Sequence, residues 1–177
     1  MKIIAAIYGD GIIGIDRKLP GRDKEDMARF RQRTKGSPCA MGMSTFLDDL
    51  SGSALPGRPA HVLSSASEEA RRAAVSASTP APVTFYDWRS EEEVQRLLRA
   101  CADGWCIGGG RVYEMLAPYV DELHLSLFSS SLLPPLQESS VVTRWLPPPY
   151  VGDGWGCWRR TVIEHCDTHL YTVWKRI

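Results

Sequence analysis

Short apolar runs alternate with capped helical stretches along most of this chain, and no other feature restricts its fold as much. Residues 2–8 read as a buried strand, broken by Gly9-Asp10-Gly11 and followed by a loop to about residue 23. Residues 24–34 read as a helix. Pro38 to Met41 is a short strand ended by Gly42, and Ser44 or Thr45 caps a short helix through about Leu50. After the Pro56-Gly57 turn, Ala60 to Leu63 is a third strand, and Ser67-Glu68-Glu69 opens a helix to about Ala74. Val83 to Tyr86 is a strand, Ser90 with Glu93 forms a capping box for a helix to about Ala102, and Trp105 to Ile107 is a strand. Arg111 to Leu116 is a helix and Glu122 to Phe128 an alternating strand. Residues 129–157 are irregular and carry Pro134-Pro135, Pro147-Pro148-Pro149, Trp145 and Trp155. Trp158 to Glu164 and Leu170 to Lys175 form a final hairpin across Asp167-Thr168. The expectation is one α/β domain over residues 1–177. Its central mixed, mostly parallel sheet is flanked by helices and has an antiparallel C-terminal edge.

With 177 residues the chain is long enough to bury one good core. Twenty-one basic and 21 acidic residues cancel. A nucleic-acid or membrane-surface partner usually needs a basic excess, so neither is expected. Met1 leads straight into Lys2-Ile3-Ile4-Ala5-Ala6-Ile7, which lacks the form of a signal peptide. No apolar run approaches the ~20 residues that span a bilayer. The cysteines are Cys39, Cys101, Cys106, Cys157 and Cys166, an odd number with no CxxC pair. This suits reduced thiols in a cytoplasmic protein and no metal site.

One carboxylate stands out. In the helix at 24–34, Asp26, Phe30 and Thr34 recur at four-residue spacing beside Met27, while Arg29, Arg31, Gln32 and Arg33 lie opposite. Residues so spaced share a face. If Met27 and Phe30 face the core, so does Asp26. A carboxyl group short of water there has a raised pKa unless paired, and such groups donate protons near neutral pH. The plainer alternative is that Asp26, with Asp23 and Glu25, complements the helix dipole from solvent.

The second fragment is Ile107-Gly108-Gly109-Gly110-Arg111-Val112-Tyr113, where a strand runs through three glycines into a helix. Glycines permit backbone conformations closed to other residues and let a ligand approach the main chain. The following helix offers free N–H groups to phosphate. The spacing is neither that of the Rossmann fingerprint nor that of a P-loop. Tyr113 lies along the ligand or is an ordinary core tyrosine.

Taken in order, these residues resemble the dihydrofolate reductase family over most of residues 1–128. Ile4-Ala5-Ala6 is similar to its first strand. Ile12-Ile13-Gly14-Ile15 with Leu19-Pro20 resembles its mobile loop, and Asp26 with Phe30 its substrate helix. Met41-Gly42 with Thr45-Phe46 resembles its dinucleotide junction. Leu55-Pro56-Gly57-Arg58, Val62-Leu63-Ser64-Ser65, Ile107 to Tyr113 and Val120-Asp121-Glu122-Leu123 follow in family order. The resemblance implies hydride transfer from NADPH to 7,8-dihydrofolate in a cytoplasmic monomer that also takes antifolates. It implies Asp26 as the catalytic group, supported by Ser126 where the family has threonine. It implies Arg58 on the substrate's glutamate tail. It implies Ile4, Ala6, Phe30, Leu50, Leu55 and Ile107 as substrate walls. For the cofactor it implies Ala6, Ile13, Gly14 and Leu19; Gly42, Met43, Ser44 and Thr45; Leu63, Ser64 and Ser65; and Ile107 through Gly108, Gly109, Gly110, Arg111 and Val112 to Tyr113.

Three departures accompany the resemblance. Gly21 stands where the family usually has tryptophan after Leu-Pro, which removes an aromatic wall. Met43 stands where a base usually holds the cofactor's 2′-phosphate, and Ser65 is also neutral. A lost charged hydrogen bond is worth roughly 1.5–3 kcal/mol, so the preference for NADPH over NADH rests on Arg111, Thr45, Ser64 and Ser65. Residues 129–157 match nothing in the family pattern and read as an enlarged loop or a surface for self-association. Two other readings share the fold. One is the riboflavin-pathway reductase of a ribosylaminopyrimidine, which does not need Asp26 and Arg58. The other is a non-catalytic nucleotide-binding homologue that uses 129–157 as its contact surface.

Overall fold

A computed structural model describes residues 1–147 and 158–177. Pro148, Pro149, Trp155 and Cys157 lie outside the described residues. The elements in chain order are β1 (Lys2–Tyr8), β2 (Ile12–Ile15), α1 (Lys24–Thr34), β3 (Cys39–Gly42), β4 (Ala60–Leu63), α2 (Glu68–Ala73) and β5 (Val83–Tyr86). They continue with α3 (Glu91–Ala100), β6 (Trp105–Cys106), α4 (Gly110–Leu116), β7 (Glu122–Phe128), β8 (Val142–Arg144), β9 (Trp158–His165) and β10 (His169–Arg176). The sheet runs β5-β4-β3-β6-β1-β7-β10-β9. Every pairing from β5 to β7 is parallel, and β10 is antiparallel to both β7 and β9. The mixed sheet with its antiparallel C-terminal edge is the architecture read from the alternation.

The helices begin where the sequence marks them. Asp23 caps α1, accepting from the Asp26 amide at 2.9 Å, with Glu25 and Asp26 in the first turn and Arg31 and Arg33 in the last. Ser67 caps α2 and Ser90 caps α3 in the same way. The capping box at α3 is only half formed. Glu93 turns to Arg96, and the Ser90 amide donates to the Asp87 carbonyl instead.

Both strands that carry the site alternate between two faces. In β1, Ile3, Ala5 and Ile7 enter the core built with Leu97 of α3 and Leu116 of α4, while Ala6 and Tyr8 join a second cluster with Phe128. In β7, Leu123, Leu125 and Leu127 share the first core. Ser126 and Phe128 lie opposite Ala6 and Tyr8 in register and face α1. One face of the sheet is therefore closed by apolar packing, and the other carries polar groups under α1. A buried hydroxyl there needs a partner, and α1 supplies one.

Three local expectations change. Residues 12–15, read as loop, form β2, which pairs with β1 and with β8 from the stretch read as irregular. β2 has four residues and β8 three, neither alternates, and the partners are far apart in sequence, so no local period marks them. The Asp16 carboxylate strengthens the junction by accepting from the Val141 amide at 2.8 Å. Ser44 has helical backbone angles and caps nothing, and Thr45–Asp49 is a π-helical segment. Trp145 is buried and stacks on Tyr113 with ring centroids 4.5 Å apart. The described part of 129–157 is thus joined to the core through Trp145, while Leu132, Leu136, Val141 and Leu146 stay exposed.

Candidate active site

Asp26 faces the sheet from the first turn of α1. Ser126 Oγ donates to its Oδ1 at 2.5 Å, leaving Oδ2 for the cleft. Burial raises the Asp26 pKa against the lowering effects of the Ser126 hydrogen bond, His169 and Arg29, while Asp23 adds to the rise. The sequence reading offered either a raised or a paired carboxyl group. This one is both, because a single neutral donor does not replace the lost water. Met27 and Phe30 share its face but are only half-buried, since that face borders a cleft rather than the core.

Behind Asp26, the C-terminal hairpin grips α1. Thr168 Oγ1 donates to Asp23 Oδ2 at 2.9 Å, so Asp23 holds the helix start with one oxygen and the hairpin with the other. Arg29 lies 2.8 Å from His169 Nε2 through Nη1. Because a guanidinium only donates, Nε2 accepts and the ring proton sits on Nδ1, toward Thr168 and Asp23. Arg29 Nη2 donates to Glu164 at 2.7 Å and Glu25 at 3.1 Å, with Cys166 Sγ at 3.3 Å. The sequence put Arg29 on the solvent face. The hairpin covers it instead, and its cation sits among the side chains of Glu25, Cys166 and His169.

The cleft in front of Asp26 has a volume of about 330 Å³. Ile4, Ala6, Phe30, Leu50, Leu55 and Ile107 line it as the sequence anticipated. Tyr113 lines it too, rather than the neighbouring groove, and its hydroxyl donates to the Ile4 carbonyl at 2.8 Å. Arg58 is not in the wall. It is buried beside the cleft, with Nη1 donating to Thr34 Oγ1 at 3.0 Å and Nε to the Pro56 carbonyl at 3.2 Å. The turn that presents it has Pro56 second and Gly57 third, with φ +66° at the glycine and the Arg58 amide on the Leu55 carbonyl. Sequence reasoning missed Arg22 and Asp49, both in the cleft wall. Burial and Asp48 raise the Asp49 pKa, opposed by Arg22. Asp49 ends a π-helical segment, so helical periodicity does not place it.

Leu19, Thr45 and Asp49 also border a groove lined by Ile13, Gly14, Gly42, Ser44, Gly109, Gly110, Arg111 and Val112. It continues past Met43, Leu63, Ser64 and Ser65, with Trp88 on its wall. Gly108 forms the hinge rather than the wall. Its φ is +110°, and a Cβ there would meet the Tyr113 ring at 3.0 Å, so only glycine fits. Its carbonyl accepts from the Gly42 amide at 2.8 Å and ties the two glycine turns together. Arg111 stacks on Trp88 with 4.4 Å to the ring centroid. That aromatic platform sits in the Asp87–Arg89 turn, where the sequence offers no signal for it. Backbone glycines, the hydroxyls of Ser44, Thr45, Ser64 and Ser65, and the cations of Arg17, Lys18 and Arg111 suit a ligand that carries phosphates.

Comparison with known proteins agrees with this geometry. The model of a family described as dihydrofolate reductase matches residues 1–133. Dihydrofolate reductase type 3 of Salmonella typhimurium is 30% identical over 133 residues, 75% of this chain and 74% of that protein. The dihydrofolate reductase of Haemophilus influenzae is 31% identical over 130 residues, 73% of this chain and 72% of that one. That of Mycobacterium leprae is 30% identical over 157 residues, 86% and 87%. Among solved structures, dihydrofolate reductase from Enterococcus faecalis complexed with NADP(H) and RAB-propyl superposes with TM-score 0.69 at 22% identity, covering 99% of this chain and 95% of that one. A family match that spans both the Asp26 helix and the glycine hinge, on a shared fold, means that this chain belongs to the dihydrofolate reductase family.

Proposed function

We propose that the chain reduces 7,8-dihydrofolate to 5,6,7,8-tetrahydrofolate with NADPH, with the pterin in the Asp26 cleft and the dinucleotide in the adjoining groove. The observation that carries this reading is the meeting of the two spaces at Leu19, Thr45 and Asp49, with a half-buried carboxyl group on one side and a glycine hinge on the other. NADPH supplies the hydride when bound. The protein holds the two rings against each other and manages the proton.

Asp26 hydrogen-bonds the pterin's amino group and ring nitrogen through the oxygen that Ser126 leaves free. Burial raises its pKa above the ordinary carboxyl value, the direction that favours a proton donor. Ser126 orients the carboxyl group from behind, so it is the supporting member of the pair. Phe30, Leu50 and Leu55 exclude water from the aminobenzoate, and Ile4, Ala6 and Ile107 pack against the pterin. Arg58 takes a carboxylate of the glutamate tail. Thr34 and the Pro56 carbonyl hold two of its nitrogens in place, which pre-orients the rest of the guanidinium. Arg111, braced on Trp88, with Thr45, Ser64 and Ser65, takes the cofactor's phosphates. Met43, Ser44 and Leu63 pack along it, and Ile13, Gly14, Gly42, Gly109, Gly110 and Val112, set by the Gly108 hinge, give it close backbone approach.

The enzyme acts as a cytoplasmic monomer in this reading. The buried free thiols of Cys39, Cys101 and Cys106 suit a reducing compartment. Purified protein oxidises NADPH only once dihydrofolate is added, and an antifolate stops it. The decisive assay sets dihydrofolate beside a ribosylaminopyrimidine. Turnover of the second alone overturns the assignment.

A further inference from the structure

Gly21 has no backbone reason to be glycine. Its φ is outside the left-handed region, unlike that of Gly9, Gly11 or Gly57. What excludes a side chain is space: a Cβ at Gly21 would lie 2.6 Å from the Tyr8 hydroxyl oxygen and 3.4 Å from the carbon that bears it. The room that a residue at 21 would fill is taken by Tyr8, which reaches across from β1.

Tyr8 shares the strand face of Ala6, and its register partner Phe128 lies two residues beyond Ser126, the residue bonded to Asp26. The ring is fixed, buried and stacked on Phe128 with centroids 4.5 Å apart and planes 11° apart. Only the hydroxyl is uncommitted, since no described residue hydrogen-bonds it. It lies against Gly21, in the segment whose Leu19 and Arg22 are both in the cleft wall. Burial first, then the charges of Asp26 and Asp23, push the Tyr8 hydroxyl up to about 12. It therefore stays protonated throughout the working range and acts as a donor, not an acid.

We infer that the Tyr8 hydroxyl, seated in the space that Gly21 leaves, is a positioning residue for proton delivery by Asp26, donating to a water or ligand atom shared with that carboxylate. This rests on the dihydrofolate reduction proposed above. The other charged or titratable groups that bear on Asp26 are Asp23 at the helix cap, Arg29 on the same helix and His169 on β10, with Arg22 and Asp49 on the cleft wall. None of them changes when the hydroxyl is removed.

Tyr8→Phe keeps the stacked ring and removes only the donor. A donor that steadies the charged carboxylate through a shared atom lowers its pKa, so its loss moves the pH midpoint of turnover upward, by about half a unit. The KM for NADPH stays constant. Gly21→Ala pushes on the hydroxyl oxygen and moves the midpoint in the same direction. In the Tyr8→Phe background the same alanine meets only the ring carbon at ordinary contact and adds no further change. Such non-additivity is the signature of a direct pair. An unmoved midpoint in Tyr8→Phe, or additive effects in the double variant, overturns the inference. If Tyr8→Phe fails to fold, an unmoved midpoint in Gly21→Ala overturns it equally. Asp26→Asn run in parallel separates the two claims. If it keeps full activity, the assignment of the reaction is what has failed.

Discussion

Residues 1–133 and the residues after them contribute differently to the site. The first region matches the family and carries Asp26, Ser126, Arg58 and the glycine hinge. The second region supplies few wall residues, Thr143 among them, yet it fixes the geometry of the first. Trp145 stacks on Tyr113, β8 pairs with β2, and the β9–β10 hairpin grips α1 through Thr168 and His169. Chemistry and support are thus drawn from different parts of the chain. Support needs only the right shape and donors, which many sequences can provide.

The most direct way to break this contrast is Trp145→Ala. It removes a buried aromatic from the second region and is expected to cost about 3–5 kcal/mol of stability, read by denaturant unfolding. A loss under 1 kcal/mol would show that the later region is dispensable to the core. Asp26→Asn acts in the first region and separates activity from stability. Turnover is expected to fall by ~10²-fold or more, while the protein becomes more stable near neutral pH. The sign follows from the raised native pKa. The folded state holds its proton above the ordinary value of 3.8, so stability falls as pH rises through that interval and stays lower above it. Asparagine carries no such charge. The gain in Tm should therefore vanish below the ordinary carboxyl range, and a gain equal at all pH values would refute burial as the cause.

Met43→Arg sharpens the cofactor half. Restoring a charged donor beside Ser64 and Ser65 should improve NADPH relative to NADH by about 1.5–3 kcal/mol, measured as the ratio of kcat/KM for the two cofactors. An unchanged ratio would mean that Arg111 on Trp88 already meets the phosphate. Arg29→Gln is the smallest and the most telling about support. It takes from Asp26 a cation that lowers its pKa, so the midpoint of activity should rise by a few tenths of a unit, roughly 0.5 kcal/mol, with little loss of maximal rate. A pH profile that moves downward instead would contradict the electrostatic account.

Much of this molecule is legible before folding is considered. The bounds of α1, β4, β5 and β7 follow from caps and short apolar runs, because those signals act within a few residues. Asp26 is visible because it repeats with Phe30 and Thr34 on one helical face, and the hinge because only glycine tolerates such backbone angles. The β2–β8 ladder, the burial of Arg29 and the Arg111–Trp88 platform are not visible. Each joins segments distant in the chain, and no local period records a partner so far away. The same holds for Gly21 beside Tyr8. As letters they are an absent tryptophan and a strand tyrosine, and only packing makes them occupants of one space.

The amino-acid order alone determined an α/β sheet, its capped helices, and a carboxyl group and glycine turn suited to reduction on a nicotinamide. Local propensity and side-chain periodicity are properties of neighbours in the chain. Tertiary structure decided the direction in which that carboxyl group's pKa moves, the route by which the hairpin holds it, and which side chains share the cleft. Those depend on desolvation and on hydrogen bonds between residues that meet only once the sheet has closed.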